Sequence, residues 1–175
     1  MSREELARRI AERALLRGEF VLRSGKRSTV YLDKYRFETD PELLAPLAEQ
    51  LATLAREVAP DAALLAGPEL GAVPLVTAIA LRSGKPFLIV RGDAKGYGTS
   101  NRLEGVFGPG EDVLLVEDVV TTGGAAVSAV QALREADLEV SQALCVLDRA
   151  EGGAEALGAY GVTLHPLFDR AALGL

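Results

Sequence analysis

Two rhythms of apolar residues divide the chain. In the first, apolar positions are consecutive: Ala62-Ala63-Leu64-Leu65-Ala66, Pro86-Phe87-Leu88-Ile89-Val90, Val113-Leu114-Leu115-Val116 and the stretch 140–147. An extended chain points neighbouring side chains to opposite sides, so such runs suit strands covered on both faces, as in a parallel sheet. In the second rhythm an apolar residue returns every three or four positions. Leu6, Ile10, Ala14 and Leu15 do so among Arg and Glu and predict an amphipathic helix over 3–16. Asp40 followed by Pro41 signals the start of a helix that reaches about Val58. Further helices are predicted at 72–82 and, behind Gly123-Gly124, through Val127, Val130 and Leu133. Between 18 and 33, two β-rich runs flank Ser24-Gly25-Lys26 as in a hairpin, and 162–174 closes the chain with a short strand and a short helix. Strands alternating with helices predict an α/β fold with a central parallel sheet.

Composition narrows the classes. At 175 residues, 49% hydrophobic and 25% charged, residues 1–175 are expected to form a single globular domain without internal repeat or linker. A formal net charge of -6 speaks against broad nucleic-acid binding, which needs a basic surface. Cys145 is the only cysteine and sits in the apolar run Ala143-Leu144-Cys145-Val146-Leu147, so a disulfide framework is excluded and a core thiol is expected. No segment reaches the ~18 apolar residues of a membrane span, and the N-terminus alternates charge without an apolar signal region. A cytoplasmic protein is expected. His165, the sole histidine, precedes Pro166 and reads as structural.

The chemistry concentrates after the third apolar run. Glu117-Asp118 follow Val116 directly, and Val119-Val120-Thr121-Thr122-Gly123-Gly124-Ala125 lead into the next helix. Hydroxyls and unobstructed backbone N–H groups at a helix N-terminus suit a phosphate. Two adjacent carboxylates beside an anion need hydroxyl donors or positive charge, which a sugar diol with magnesium nearby would supply. On these residues alone, a solvated strand end followed by an ordinary helix-start turn is an equal alternative. Arg23, Lys26 and Arg27 crowd the hairpin, which fits either a bound anion or an edge strand protected by charge. Segment 92–105 has four glycines and few apolar residues, the composition of a long loop: a lid, a binding loop or disorder. Arg149 follows the strand 140–147, at the carboxyl end where ligands of open parallel sheets collect, and its guanidinium fork matches a carboxylate.

The string Val-Leu-Leu-Val-Glu-Asp-Val-Val-Thr-Thr-Gly-Gly-Ala at 113–125 closely resembles the phosphoribosyl pyrophosphate (PRPP) binding motif of type I phosphoribosyltransferases. It has neither the Gly-Lys-Ser/Thr of a Walker loop nor the G-x-G-x-x-G of a dinucleotide site. Three more segments are similar to those of orotate phosphoribosyltransferases: Phe20-x-Leu22-x-Ser24-Gly25-x-x-Ser28, then Arg91-x-x-x-Lys95-x-Tyr97-Gly98 with Leu103-x-Gly105, and Leu147-Asp148-Arg149-x-Glu151-Gly152. The resemblance implies the type I phosphoribosyltransferase fold, its central parallel sheet flanked by helices, with a small N-terminal hood made mainly by 18–36 with C-terminal residues. It implies a flexible catalytic loop at 92–105, shared across a homodimer interface. Arg23, Arg91, Lys95 and Tyr97 would reach PRPP, Glu117 and Asp118 would hold its ribose hydroxyls, and Val119, Val120, Thr121, Thr122, Gly123, Gly124 and Ala125 would wrap its 5′-phosphate. Arg149, with Thr121, would bind orotate, and Lys95, Arg91 and Asp118 would be the catalytic groups. Magnesium (Mg2+) would be bound mainly through PRPP and its pyrophosphate. Two departures remove cations: Gly92 replaces the second member of an Arg-Lys doublet, and Leu70-Gly71 stands where the family often has Tyr-Lys.

The function so implied is transfer of the 5-phosphoribosyl group from PRPP to orotate, giving orotidine 5′-monophosphate and pyrophosphate in de novo pyrimidine (UMP) biosynthesis. Neither nucleic acid nor membrane is expected as a partner. Two other readings stay open: a phosphoribosyltransferase for a purine or uracil, and a regulator that keeps the PRPP fold but binds RNA or DNA. The acidic balance, Arg91 and Lys95 speak against the second.

Overall fold

The chain opens with helix α1 (Arg3–Ala14), whose N-terminus is capped by the Ser2 side chain accepting from the Glu5 N–H. It passes without a loop into the antiparallel pair β1 (Leu15–Val21) and β2 (Arg27–Leu32). The predicted helix over 3–16 therefore ends two residues early, because Leu15 and Leu16 pair with Leu32 and Tyr31 instead. Phe20 and Tyr31 lie ring against ring across this pair, centroids 5.5 Å apart. The structure, a computed structural model, describes residues 1–21, 25, 27–92 and 102–175.

A short helix α2 (Tyr35–Glu38) and the long α3 (Pro41–Val58) follow. Asp40 caps α3 by accepting from the Glu42 N–H, as the Asp-Pro start signal predicts. The remaining elements are β3 (Leu64–Pro68), α4 (Ala72–Ser83), β4 (Phe87–Val90), β5 (Leu103–Glu104), β6 (Asp112–Val120), α5 (Gly124–Glu135), β7 (Glu139–Asp148), α6 (Gly153–Gly158), β8 (Thr163–Phe168) and a closing 3-10 turn at Ala171–Leu173. Six strands form one sheet in the order β5-β4-β3-β6-β7-β8, parallel throughout except for β5, which closes an edge antiparallel to β4. Part of the segment predicted as loop, Leu103–Glu104, is thus a strand. The short helices α2 and α6, too brief to show a periodic stripe, were not predicted.

Alternation along β6 explains its apolar run. Leu114 and Val116 face a core built with α1, α3 and α4, whereas Val113 and Leu115 face one built with α5 and α6. Neighbouring β3 and β7 divide in the same way, Leu65 and Leu144 to the first core, Ala66 and Ala143 to the second. Cys145 is buried in β7 and its thiol is pushed well above its ordinary range by that burial. No helix among the described residues is long and apolar enough to cross a membrane.

The sheet centre should tolerate little loss of volume. Leu115 is fully buried between Ala66 and Ala143, so Leu115→Ala is expected to lower the unfolding free energy by about 3 kcal/mol in urea titrations.

Candidate active site

Strand β6 runs four residues beyond the predicted 113–116, because β7 is long enough to pair Val119 with Leu147 and Val120 with Asp148. Glu117 and Asp118 consequently lie inside the sheet rather than at its solvated end, 6% and 3% exposed. Successive strand residues face opposite ways, and the two acids part accordingly. Glu117 lines an open cleft of about 670 Å³ together with the 119–126 turn, Arg149 and Glu151. Asp118 is not among those lining residues. Its Oδ2 accepts from Lys34 Nζ at 2.5 Å and its Oδ1 from the Val119 N–H. This pair fits where it does because residue 71 is glycine: a Cβ there would overlap Asp118 Oδ2 and stand 2.5 Å from Lys34 Nζ. A second cleft of about 630 Å³, between α1 and the C-terminal turn, lies away from all these groups.

The turn after β6 is shaped for close approach. Gly123 has φ 81°, a conformation open to glycine, and α5 begins with no side-chain cap, so its first-turn N–H groups are not claimed by a capping side chain. Gly153, at the start of α6, packs against this turn, and a Cβ on Gly123 would stand 3.0 Å from its Cα. Thr121 and Thr122 are exposed at the rim. Arg149 reaches the same cleft because its backbone N–H donates to the Val120 carbonyl at 2.9 Å. Its Nη2 pairs with Glu151 at 3.1 Å, and its buried Nε has no hydrogen-bond partner among the described residues.

Arg91 sits at the end of β4. Its N–H donates to the Arg102 carbonyl at 2.7 Å, Arg102 Nε returns a bond to the Arg91 carbonyl, and Arg102 Nη2 donates to Ser128 of α5. Glu69, in the turn between β3 and α4, accepts from the Gly92 N–H at 3.0 Å and lies 3.7 Å from the Arg91 guanidinium. Arg23, Lys95 and Tyr97 lie outside the described residues.

A third carboxylate joins the acids of β6. Glu38 of α2 is 1% exposed and lies against Asp118, to whose carboxylate its protonated form can donate a side-chain hydrogen bond. Burial and then the charge of Asp118 push its pKa up to about 8, opposed by Lys34. The same two causes push Glu117 up to about 8, with Lys34 again pulling the other way. Burial works against the Lys34 ammonium, but Asp118 and then Glu38 outweigh it and raise its pKa. Among the described residues the one ion pair made by any of these three acids is that of Asp118 with Lys34.

Residues 41–164 match the family model of the phosphoribosyl transferase domain. The orotate phosphoribosyltransferase of Methanocella arvoryzae is 45% identical over 156 residues, which cover 89% of this chain and 87% of that protein. The chain belongs to the orotate phosphoribosyltransferase family. The family enzyme of Halobacterium salinarum is 50% identical over 150 residues, 86% of this chain and 83% of that one. The crystal structure of the Mycobacterium tuberculosis orotate phosphoribosyltransferase in complex with PRPP superposes with a TM-score of 0.84 at 32% identity, covering 99% of each chain. That of the Aeropyrum pernix enzyme gives 0.87 at 34% identity, covering 96% of this chain and 95% of that one.

Within this orotate phosphoribosyltransferase fold the residues singled out in the sequence fall into three groups. Glu117, Val119, Val120, Thr121, Thr122, Gly123, Gly124, Ala125 and Arg149 share one cleft, Asp118 faces Lys34, and Arg91 stands with Glu69 and Arg102. Sequence reasoning missed Lys34, Glu38, Glu69 and Arg102. None of them belongs to a motif in the sequence, and only the topology brings each to the site.

The raised acids set the pH dependence of stability. Glu38 and Glu117 hold protons in the folded state that the unfolded chain, titrating near 4.5, has released; their contribution to stability is full below that value and is lost as pH rises from there through about 8. Thermal melts should therefore fall across this window. Glu38→Gln, which keeps the shape and removes one of the two groups, should make the fall shallower.

Proposed function

We propose that the chain is an orotate phosphoribosyltransferase that transfers the 5-phosphoribosyl group from PRPP to orotate, releasing orotidine 5′-monophosphate and pyrophosphate for pyrimidine (UMP) biosynthesis. The observation that carries this reading is the shared cleft: the uncapped start of α5, with its two threonines, and the Arg149 guanidinium open onto one space of about 670 Å³. A cleft with a phosphate seat at one end and a carboxylate-matching fork at the other suits a phosphoribosyl group joined to an acidic base. On this reading the protein acts in the cytoplasm as a homodimer.

The reaction must let pyrophosphate leave C1 of the ribose while positive charge grows on the ring. The 120–125 turn would hold the 5′-phosphate through backbone N–H groups and the Thr121 and Thr122 hydroxyls. Glu117 and Asp118, neighbours on β6, would grip the ribose through its hydroxyls, and the Asp118 carboxylate would stabilise the developing cation. Arg149 would orient orotate so that N1 faces C1, with Thr121 assisting, and this positioning turns the attack into a step within one complex. Arg23, Arg91, Lys95 and Tyr97 would surround the departing pyrophosphate. One well-placed donor to such developing charge contributes on the order of 3 kcal/mol. Magnesium, bound mainly through the oxygens of PRPP and its pyrophosphate, would supply positive charge to the leaving group. Oxygen donors of that kind suit magnesium, and among the described residues no group of three or more ligating side chains could hold a metal alone.

Two outcomes test this assignment in a spectrophotometric assay of orotate consumption. Arg149→Ala is expected to raise KM for orotate by roughly 10- to 100-fold, the range for losing a charged hydrogen-bond donor, with KM for PRPP little changed; unchanged base preference against uracil or adenine would refute it. Lys95→Ala is expected to lower kcat far more than it weakens PRPP binding, because its charge acts on the leaving group, and equal losses in both would contradict that role.

A further inference from the structure

We propose that Lys34 is a positioning residue for Asp118: a cation delivered from the segment between β2 and α2 that locks the Asp118 carboxylate in one orientation for a ribose hydroxyl. The inference rests on the reading above, in which Asp118 accepts from the ribose of PRPP.

Glu38, Glu117 and Asp118 come from two elements, and all three side chains are removed from water. Such a group holds a charge only where a counter-charge or hydrogen bonds replace the lost hydration. Lys34 supplies that counter-charge at Asp118. Its own side chain is 34% exposed whereas that of Asp118 is 5% exposed, so the ammonium reaches the acid from the solvent side. Tyr35 flanks it, the ring centroid 5.5 Å from Nζ.

The contact also fixes geometry. One oxygen of Asp118 accepts from Lys34 and the other from the Val119 N–H, so the plane of the carboxylate cannot rotate while each oxygen keeps acceptor capacity to offer. A sugar hydroxyl needs such an acceptor held still. The β3–α4 turn accommodates this pair closely: at Gly71 any Cβ would intrude on both Lys34 Nζ and Asp118 Oδ2, so a substitution there displaces the contact without removing either charge. That turn has no lysine of its own, and the ammonium of Lys34 lies beside it. The groups facing Lys34 are Asp118 from β6, Glu38 and Tyr35 from α2, and Lys34 in turn pulls down both Glu38 and Glu117. Asp33 faces Glu38 from the end of the hairpin. Removing Lys34 therefore leaves a set of acids that bind protons more readily.

The test is steady-state kinetics of the full-length enzyme carrying Lys34→Ala, Lys34→Arg, Gly71→Ala or Asp118→Asn. Lys34→Ala should raise KM for PRPP by roughly 10- to 100-fold, the range for losing one charge-assisted hydrogen bond, while KM for orotate changes little. The acidic limb of kcat/KM for PRPP should move to higher pH, and Lys34→Arg should return that limb toward its original position. Gly71→Ala, which displaces the pair without altering charge, should raise KM for PRPP and leave the limb where it was. An unchanged KM for PRPP with an unmoved limb in Lys34→Ala would overturn the proposal even if its melting temperature fell, because the pair would then be structural alone. Should Lys34→Ala fail to fold, Gly71→Ala decides: a normal KM for PRPP there overturns the proposal. If Asp118→Asn itself leaves PRPP kinetics intact, it is the ribose-gripping role of Asp118 that fails.

Discussion

A strand that is dry on both faces is a poor place for charge, and β6 carries two carboxylates in that position. Much of the site is arranged around this conflict. The acids divide between the faces of the sheet, Glu117 opening on the cleft and Asp118 meeting an ammonium, and Glu117 and its neighbour Glu38 stay largely protonated near neutrality. Had the strand stopped at Val116, water would have relieved the conflict, and the acids would have lost the fixed directions that a sheet imposes.

The parallel sheet meets the other demand, which is to bring distant segments to one edge. The carboxyl ends of β3, β4, β6 and β7 deliver Glu69, Arg91, the 117–124 stretch and Arg149 respectively. Ligands of open α/β sheets collect at that end because the connecting segments there are free to vary while the strands below stay in register. Arg91 and Arg102 add a local clamp, their mutual backbone and side-chain bonds tying β4 to the far side of the connection and, through Ser128, to α5.

Much of this was legible in the chain itself. The consecutive apolar runs marked β3, β4, β6 and β7 because double-sided burial leaves no polar alternation, and the Asp40-Pro41 pair marked the start of α3 to the residue. The acidic pair, the Thr-Thr-Gly-Gly turn and Arg149 stood out because each is polar chemistry at the end of an apolar run. Lys34 and Glu38 did not, since their significance comes from a fold that brings residue 34 against residue 118. The length of β6 was hidden for a related reason: Glu and Asp are poor strand formers, and only the ladder to β7 keeps them extended. Leu15 and Leu16 continued a helical stripe by spacing, but pairing with β2 took them into a strand, a case of tertiary contacts overriding local preference.

The backbone bond from Arg149 to Val120 makes the sheet a ruler. The phosphate-suited turn and the arginine fork stand on adjacent strands in a register set by Val120 opposite Asp148, so the span between them is fixed by ladder geometry rather than by loop length. A ligand has to match that span as well as the chemistry at its two ends. Selectivity in such a frame is metric before it is chemical: the side chain at 149 can change what is recognised, while the distance at which recognition occurs belongs to the main chain.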